Sequence, residues 1–308
     1  MFENAIYAVI NVIVALLFAP ILDGIRRKLV ARLQNRIGPP ILQTFYDILK
    51  LFRKDTLVPR NSSFLVRIMP IFSFLLSITI ILALPTIIPE IPVDMNIVLF
   101  LHLLILSAFL LAISGSVSNN PYGIVGGSRE IVLVSIIEPS LVMTVLIFSL
   151  VSGETVISEI ISHYELNIAI GIATVMFIFI MIAEVGRVPF DIAEAESEVS
   201  GGPTIEYSGK LLAFYKYSHL IRNFIIFVLF ANFVIPIPAF DSTILGYLAF
   251  SVIFILKLLL CVLIVSLAEA LNARLRIFEA LKYALLLLIA SFISLLLTII
   301  SVSSFINI

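Results

Sequence analysis

Runs of about 20 consecutive apolar residues limit what this chain can become more than any other feature, because a hydrocarbon core roughly 30 Å thick demands that length of helix. Eight occur, over 2–20, 64–84, 97–117, 131–151, 166–183, 213–235, 244–267 and 281–302. With 61% of its 308 residues hydrophobic and 13% charged, the chain has too few polar groups to cover a water-facing surface. It reads as an all-α, polytopic membrane protein, a single integral membrane domain over 1–308 with eight transmembrane helices.

The basic residues give this topology its direction, since short cytoplasmic loops collect lysine and arginine. Ten of the 19 lie between Arg26 and Arg67, after the first run. Arg129 borders the third loop; Arg187, Lys210, Lys216 and Arg222 border the fifth; Arg274, Arg276 and Lys282 border the seventh. The even loops, 85–96, 152–165 and 236–243, contain none, and Lys257 is the one cation read as lying inside a span. This alternation predicts both termini outside. The first run has only Glu3 before it and no small-residue cleavage site after it, so it is expected to be a retained span and not a signal peptide. A formal net charge of −1 offers no field for nucleic acid. The lone cysteine, Cys261, excludes an internal disulfide, an iron–sulfur cluster or a cysteine–zinc site held by this chain alone. No metal ligands and no cofactor are expected in the chain itself.

Loop one, 23–67, is too long to be a turn. Over 41–52 it places Ile41, Leu42, Phe45, Ile48, Leu49 and Phe52 at helical spacing, with Gln43, Asp47 and Lys50 opposite. This predicts an amphipathic helix lying along the cytoplasmic surface. It serves either as an anchor that sets the angle between the first two spans or as a docking surface for a soluble subunit.

Charges inside the membrane must face protein or water, because an ionised side chain at mid-bilayer costs roughly 2.5–3.5 kcal/mol even on a lenient scale. Glu130 and Glu138 belong to the fourth span; eight residues apart, they lie about 80° apart around a helix and about 12 Å apart along it. They can share an inward face. Pro139 cannot donate to the carbonyl of Ser135, which predicts a bend with a carbonyl free for water. Lys257 lies mid-way along the seventh span and Glu269 at its cytoplasmic end. A single buried pair between Lys257 and a glutamate, fixing register only, is the plainer alternative.

The fifth loop, 184–212, is the acidic one: Asp191, Glu194, Glu196, Glu198 and Glu206 crowd between two apolar runs. Pro189 ends the fifth span, Asp191 stands where a helix cap would, and 192–199 are good helix formers. On one helix, Asp191, Glu194 and Glu198 would form a single acidic face whose carboxylates cannot all ionise cheaply. That is an arrangement for carrying protons. A solvated acidic loop is the plainer reading. Gly201, Gly202 and Pro203 then stop the helix.

The segment GRVPFDIAEAESEVSGGPTIEYSG resembles the signature of the complex I subunit-1 family, the membrane subunit joining an ion-pumping arm to a peripheral redox arm. RLQNRIGPPILQTFYDILKLFRKD is similar to that family's first-loop signature. The first loop runs from Gly38, Pro39 and Pro40 straight into 41–52, and loop seven ends in LNARLRIFEA. Both resemble the branch found in energy-converting membrane-bound [NiFe]-hydrogenases more than the quinone-reducing branch.

That resemblance implies a prokaryotic plasma-membrane complex in which electrons, from ferredoxin, pass through partner subunits and drive proton or sodium movement. Its partners would be peripheral iron–sulfur and hydrogenase-like large and small subunits, together with antiporter-like membrane subunits. Iron–sulfur clusters and a nickel–iron centre would sit in those partners. The implied relay is Glu130, Glu138, Glu184, Asp191, Glu194, Glu196, Glu198 and Glu206, joined here by Lys257. Arg36, Asp47 and Lys50 would lie on the docking surface. The second to sixth spans would share the five-helix architecture of antiporter-like subunits.

Three other readings stay open. The chain would be the quinone-site subunit of a true complex I, although the compressed first loop argues against it. A stand-alone secondary transporter would need a gated midplane site on broken helices, for which Pro139 is one candidate. A purely structural anchor leaves Glu130, Glu138 and Lys257 without purpose. Catalysis within the chain is not expected: His102, His163 and His219 have no metal-ligand spacing and read as packing or interface residues.

Overall fold

The computed structural model describes residues 2–58, 63–162, 167–194, 196–234 and 244–306. The elements are α1 (Phe2–Leu33), α2 (Gln43–Arg53), α3 (Phe64–Ile81), α4 (Ile97–Ser116), α5 (Pro121–Ser152), α6 (Ile157–Ser162), α7 (Ile168–Glu184), α8 (Glu196–Val199), α9 (Gly209–Val234), α10 (Ile244–Leu271) and α11 (Ile277–Ile306). A 3-10 turn, Gly202–Thr204, lies between α8 and α9. No strand occurs among the described residues; Asn96 and Val156 form one isolated antiparallel bridge.

Among the described residues, seven helices are long and apolar enough to cross a membrane: α1, α3, α4, α5, α9, α10 and α11. The eighth expected span, 166–183, corresponds to α7, an apolar helix of 17 residues. It ends at Glu184 because Gly186 turns the backbone into the left-handed region at φ 62°. The loop 236–243, like His163, lies outside the described residues.

Two helices overrun their apolar stretches. α1 continues to Leu33, so the first part of the segment read as loop one is helical and carries Asp23 and Arg26 on a rigid element. α5 begins at Pro121, well before residue 131. The Asn120 side chain accepts a hydrogen bond from the Tyr122 amide at 2.9 Å, and proline at the first helical position loses no bond there. Gly153, left-handed at φ 73°, ends the helix. Pro139 lies inside an α5 that remains helical across it.

α9 sits at the centre, packed against α1, α2, α3, α7 and α10, and every residue from Leu220 to Phe233 is buried. It is also the least apolar of the seven long helices. The two facts belong together: a helix carrying His219, Arg222, Asn223 and Asn232 can hold those groups only where protein, not lipid, surrounds it. α11 packs on α5 and α7 and leaves most of its apolar surface outward.

α2 lies against α1 and α9. Ile48 enters the core, and Phe52 meets Phe214 edge-on at 5.2 Å between centroids. Ile41, Leu42, Tyr46 and Leu49 remain exposed. The far end of loop one is fastened to the end of loop five: Ser208 Oγ accepts from the Leu57 amide at 2.8 Å and donates to the Leu57 carbonyl at 2.8 Å. Gly202, at φ 48°, allows the tightest approach in loop five, since a Cβ there would lie 2.0 Å from the Ala193 carbonyl oxygen.

Candidate functional site

Helix α5 brings Glu138 into the middle of the bundle, and α7 brings Glu184 to the same point from the other side. From α9 between them, the Arg222 guanidinium donates through Nη2 to Glu138 Oε1 and to Glu184 Oε2. All three side chains are buried. Glu138 Oε2, Glu184 Oε1 and Arg222 Nε have no hydrogen-bond partner among the described residues. Two carboxylates thus share one cation and keep two buried acceptor oxygens open. Such oxygens are costly unless a proton or water meets them.

Glu130, two turns earlier on α5, lies beside the Tyr215 hydroxyl of α9 and faces Glu194, with its own Oε2 buried and unpartnered. Glu130, Glu184, Asp191, Glu194, His219 and Arg222 line one cavity. A second, more polar cleft opens under α2, between α1 and α9; its wall includes Asp23, Arg26, Arg27, Arg187, Glu194, Lys216 and His219. Glu194 belongs to both walls. Burial raises its carboxyl above the ordinary carboxylate range, with Arg187 and Lys216 opposing and Asp191 reinforcing.

The acidic loop does not form the single helical face expected of it. Only Glu196–Val199 is helical; Asp191 and Glu194 precede it in irregular backbone. The loop is held by contacts elsewhere, and those contacts send its carboxylates in different directions. Glu194 turns inward. Asp191 accepts from Arg274 at 2.5 Å, and the Leu275 amide binds the Pro189 carbonyl at 3.1 Å, tying loop five to loop seven. Glu198 pairs with Arg129 at 2.6 Å on the exterior. Glu206 accepts from the Asn119 amide at 3.3 Å, and the side chain of Glu196 lies outside the described residues.

The Lys257 Nζ donates to the Ala231 carbonyl at 3.2 Å. Arg36 and Lys50 are exposed, while Asp47 accepts from Gln43 at 2.9 Å and lies 3.7 Å from Arg27. No group of three or more His, Cys, Asp or Glu side chains placed to hold a metal occurs among the described residues.

Arg222 is the central residue that the sequence reading missed, having placed it at a loop border. The signal was present: it stands well inside the apolar run 213–235, where a cation requires an anionic partner. A second cluster was also missed. Arg26 donates to Asp23 through Nε at 3.2 Å and Nη2 at 2.7 Å, and to Glu269 through Nη1, joining α1 to α10. Asp23 Oδ2 accepts from Thr44 at 2.9 Å, which brings α2 into the same network.

Comparison with known proteins agrees with this architecture. The chain is 34% identical over 282 residues to formate hydrogenlyase subunit 4 of Escherichia coli (strain K12), covering 89% of this chain and 92% of that one. It is 33% identical over 276 residues to hydrogenase-4 component C of the same organism, covering 87% and 88%. It is 30% identical over 276 residues to an NADH-quinone oxidoreductase subunit of Geobacillus thermodenitrificans (strain NG80-2), covering 84% and 81%. Its fold matches a chain in the membrane-bound sulfane sulfur reductase, an archaeal respiratory membrane complex, with a TM-score of 0.85 at 24% identity over 96% of this chain and 99% of that one. The NADH dehydrogenase family profile matches residues 6–299, so this multi-pass membrane protein belongs to the NADH dehydrogenase family of complex I-like membrane subunits.

Proposed function

We infer that this chain anchors the peripheral redox arm of a hydrogenase-type, ferredoxin-dependent complex and couples its electron transfer to proton or sodium movement through the membrane. The observation that carries the reading is the pair of buried glutamates, Glu138 and Glu184, sharing Arg222 while each keeps an unpartnered oxygen. A group built only for stability would close such a network. The cavity beside the pair runs through Glu130 to Glu194 and Asp191 at the loop-five surface. Glu196, Glu198, Glu206 and Lys257 complete the relay set at its margins, Glu198 and Glu206 acting through the loop they fasten.

In this reading α7 is the eighth span: 17 residues cover about 25 Å, at the short end of what crosses a bilayer. Both termini lie outside in a prokaryotic plasma membrane, and α2 lies at the cytoplasmic interface with Arg36, Asp47 and Lys50 toward the peripheral arm. The iron–sulfur and nickel–iron centres belong to partner subunits, beside antiporter-like membrane subunits. A quinone-site role has the large cleft under α2 in its favour, but several charged side chains line that cleft, which suits water and protons better than an apolar tail.

Glu138→Gln in the assembled complex, reconstituted in proteoliposomes and driven by reduced ferredoxin, is expected to keep electron transfer and lose ion uptake. Full uptake per electron in that variant would overturn the relay. Arg36→Glu is expected to reduce recovery of the peripheral subunits during purification; unchanged recovery would confine α2 and its neighbourhood to an anchoring role.

A further inference from the structure

The two cavities of the site are walled by different residues with two exceptions, Glu194 and His219. Glu194 sits on the loop; His219 is fixed on the central helix. The imidazole stands where the charged cleft under α2 gives way to the cavity that reaches Glu130 and Glu184. Its Nε2 is turned toward Gly186, another residue of the inner wall, at 3.5 Å from where a Cβ on that glycine would stand. A methyl group at 186 would meet the ring at ordinary van der Waals distance.

The other ring nitrogen, Nδ1, lies 3.2 Å from the Asn223 side-chain amide, one turn further along α9. The Asn223 Oδ1 is buried and unpartnered with the amide in this orientation. The two ends of an amide are alike in shape, and the turned orientation sets Oδ1 against Nδ1. Nδ1–H then donates to Oδ1, and the Nε2 lone pair faces the inner cavity. In the orientation shown, the amide donates to Nδ1 and Nε2 carries the hydrogen. One residue therefore fixes the ring, and the two amide orientations leave Nε2 either as base or as acid.

We propose that His219 carries protons between the charged cleft under α2 and the buried carboxylates, as the imidazole at the junction of the two cavities. This rests on the relay reading above. In each passage a hydronium ion that reaches the ring from the cleft gives its proton to Nε2, one O–H bond breaking as the N–H bond forms; that N–H bond then breaks as the proton forms an O–H bond on the carboxylate of Glu194 or Glu130. No other bond changes, and the imidazole returns to its starting form.

The test uses the whole complex in proteoliposomes, with His219→Ala, His219→Gln and Glu138→Gln assayed side by side for ion uptake per electron. His219→Ala is expected to lower uptake about tenfold or more, the scale of a positioned proton-transfer group. Added imidazole is expected to restore it, because the deleted ring leaves space continuous with both cavities. His219→Gln, which keeps a polar side chain, is expected to stay low and not respond to imidazole. Wild-type uptake in His219→Ala or His219→Gln would overturn the proposal, and so would low uptake in His219→Ala that imidazole does not restore. If Glu138→Gln pumps normally, the relay reading itself fails; if Glu138→Gln is inactive while His219→Ala pumps, only the role of His219 fails.

Discussion

Two buried arginines, Arg26 and Arg222, each bind two carboxylates, and the difference between them separates structure from chemistry in this molecule. Arg26 spends three of its nitrogens on Asp23 and Glu269, and the second Asp23 oxygen is taken by Thr44. That network joins α1, α2 and α10 and leaves no Asp23 oxygen open. Arg222 serves Glu138 and Glu184 through one nitrogen, and leaves its own Nε and one oxygen on each glutamate without partners beside a cavity. A closed network fixes geometry. An open one, next to space that can hold water, can change its protonation without dismantling the fold.

Removing each arginine tests this difference most severely. Arg222→Met leaves two buried carboxylates facing each other and is expected to destabilise the protein by about 3–5 kcal/mol. The triple variant Arg222→Met, Glu138→Gln, Glu184→Gln is expected to recover much of that loss while remaining unable to pump. Apparent melting temperatures in detergent, with ion uptake for the folded variants, check both parts. Equal instability of the single and triple variants would show that packing around Arg222, and not its charge, dominates.

Arg26→Met is expected to cost less, roughly 2–3 kcal/mol, because Asp23 keeps Thr44 and the Glu269 side chain is 18% exposed. The comparison further predicts that Arg26→Lys, which keeps the charge but not the fork, lowers the melting temperature while uptake per electron survives. Loss of coupling in folded Arg26→Lys would erase the distinction between the two networks.

A smaller effect is expected at Glu194, whose carboxyl burial raises. The native state then holds this proton more tightly than the unfolded chain does. Its contribution to stability is full below the ordinary carboxylate value near 4.3 and is lost as pH rises through the raised native value. The wild-type melting temperature should therefore decline with pH over that window, and Glu194→Gln should flatten the decline. An unchanged slope in the variant would place the titration elsewhere.

The smallest change concerns Glu198, half-exposed and paired with Arg129 at 2.6 Å. Glu198→Gln is expected to cost less than about 1 kcal/mol, as an exposed pair should, and to lower ion uptake only slightly through the loop it fastens. A large loss of uptake there would move the relay outward onto the loop surface.

Much of the fold was legible because lipid imposes a strong rule on sequence. The apolar runs located seven long helices and the short α7, and the charged residues between them located the two loops that matter. The acidic segment 184–212 was singled out by its composition alone. Glu130 and Glu138 were placed on one helix from their spacing, and the structure puts both on α5, Glu130 in the cavity wall and Glu138 against Arg222, which also lines it. The helical face expected of Asp191, Glu194 and Glu198 failed for a reason local pattern does not carry. Arg274 and Arg129, distant in the chain, each bind one of those carboxylates, Asp191 and Glu198, while Glu194 turns into the bundle.

What the sequence determined by itself is the set of groups that cannot face lipid, because the cost of an exposed charge is a property of each side chain and its membrane depth. Which groups meet is a property of packing. Only the tertiary structure set Arg222 between helices from three different parts of the chain, fastened loop one to loop five through Ser208 and Leu57, and placed His219 where two cavities join. Those contacts span about 40 to 150 residues of sequence, and no periodicity within a helix records them.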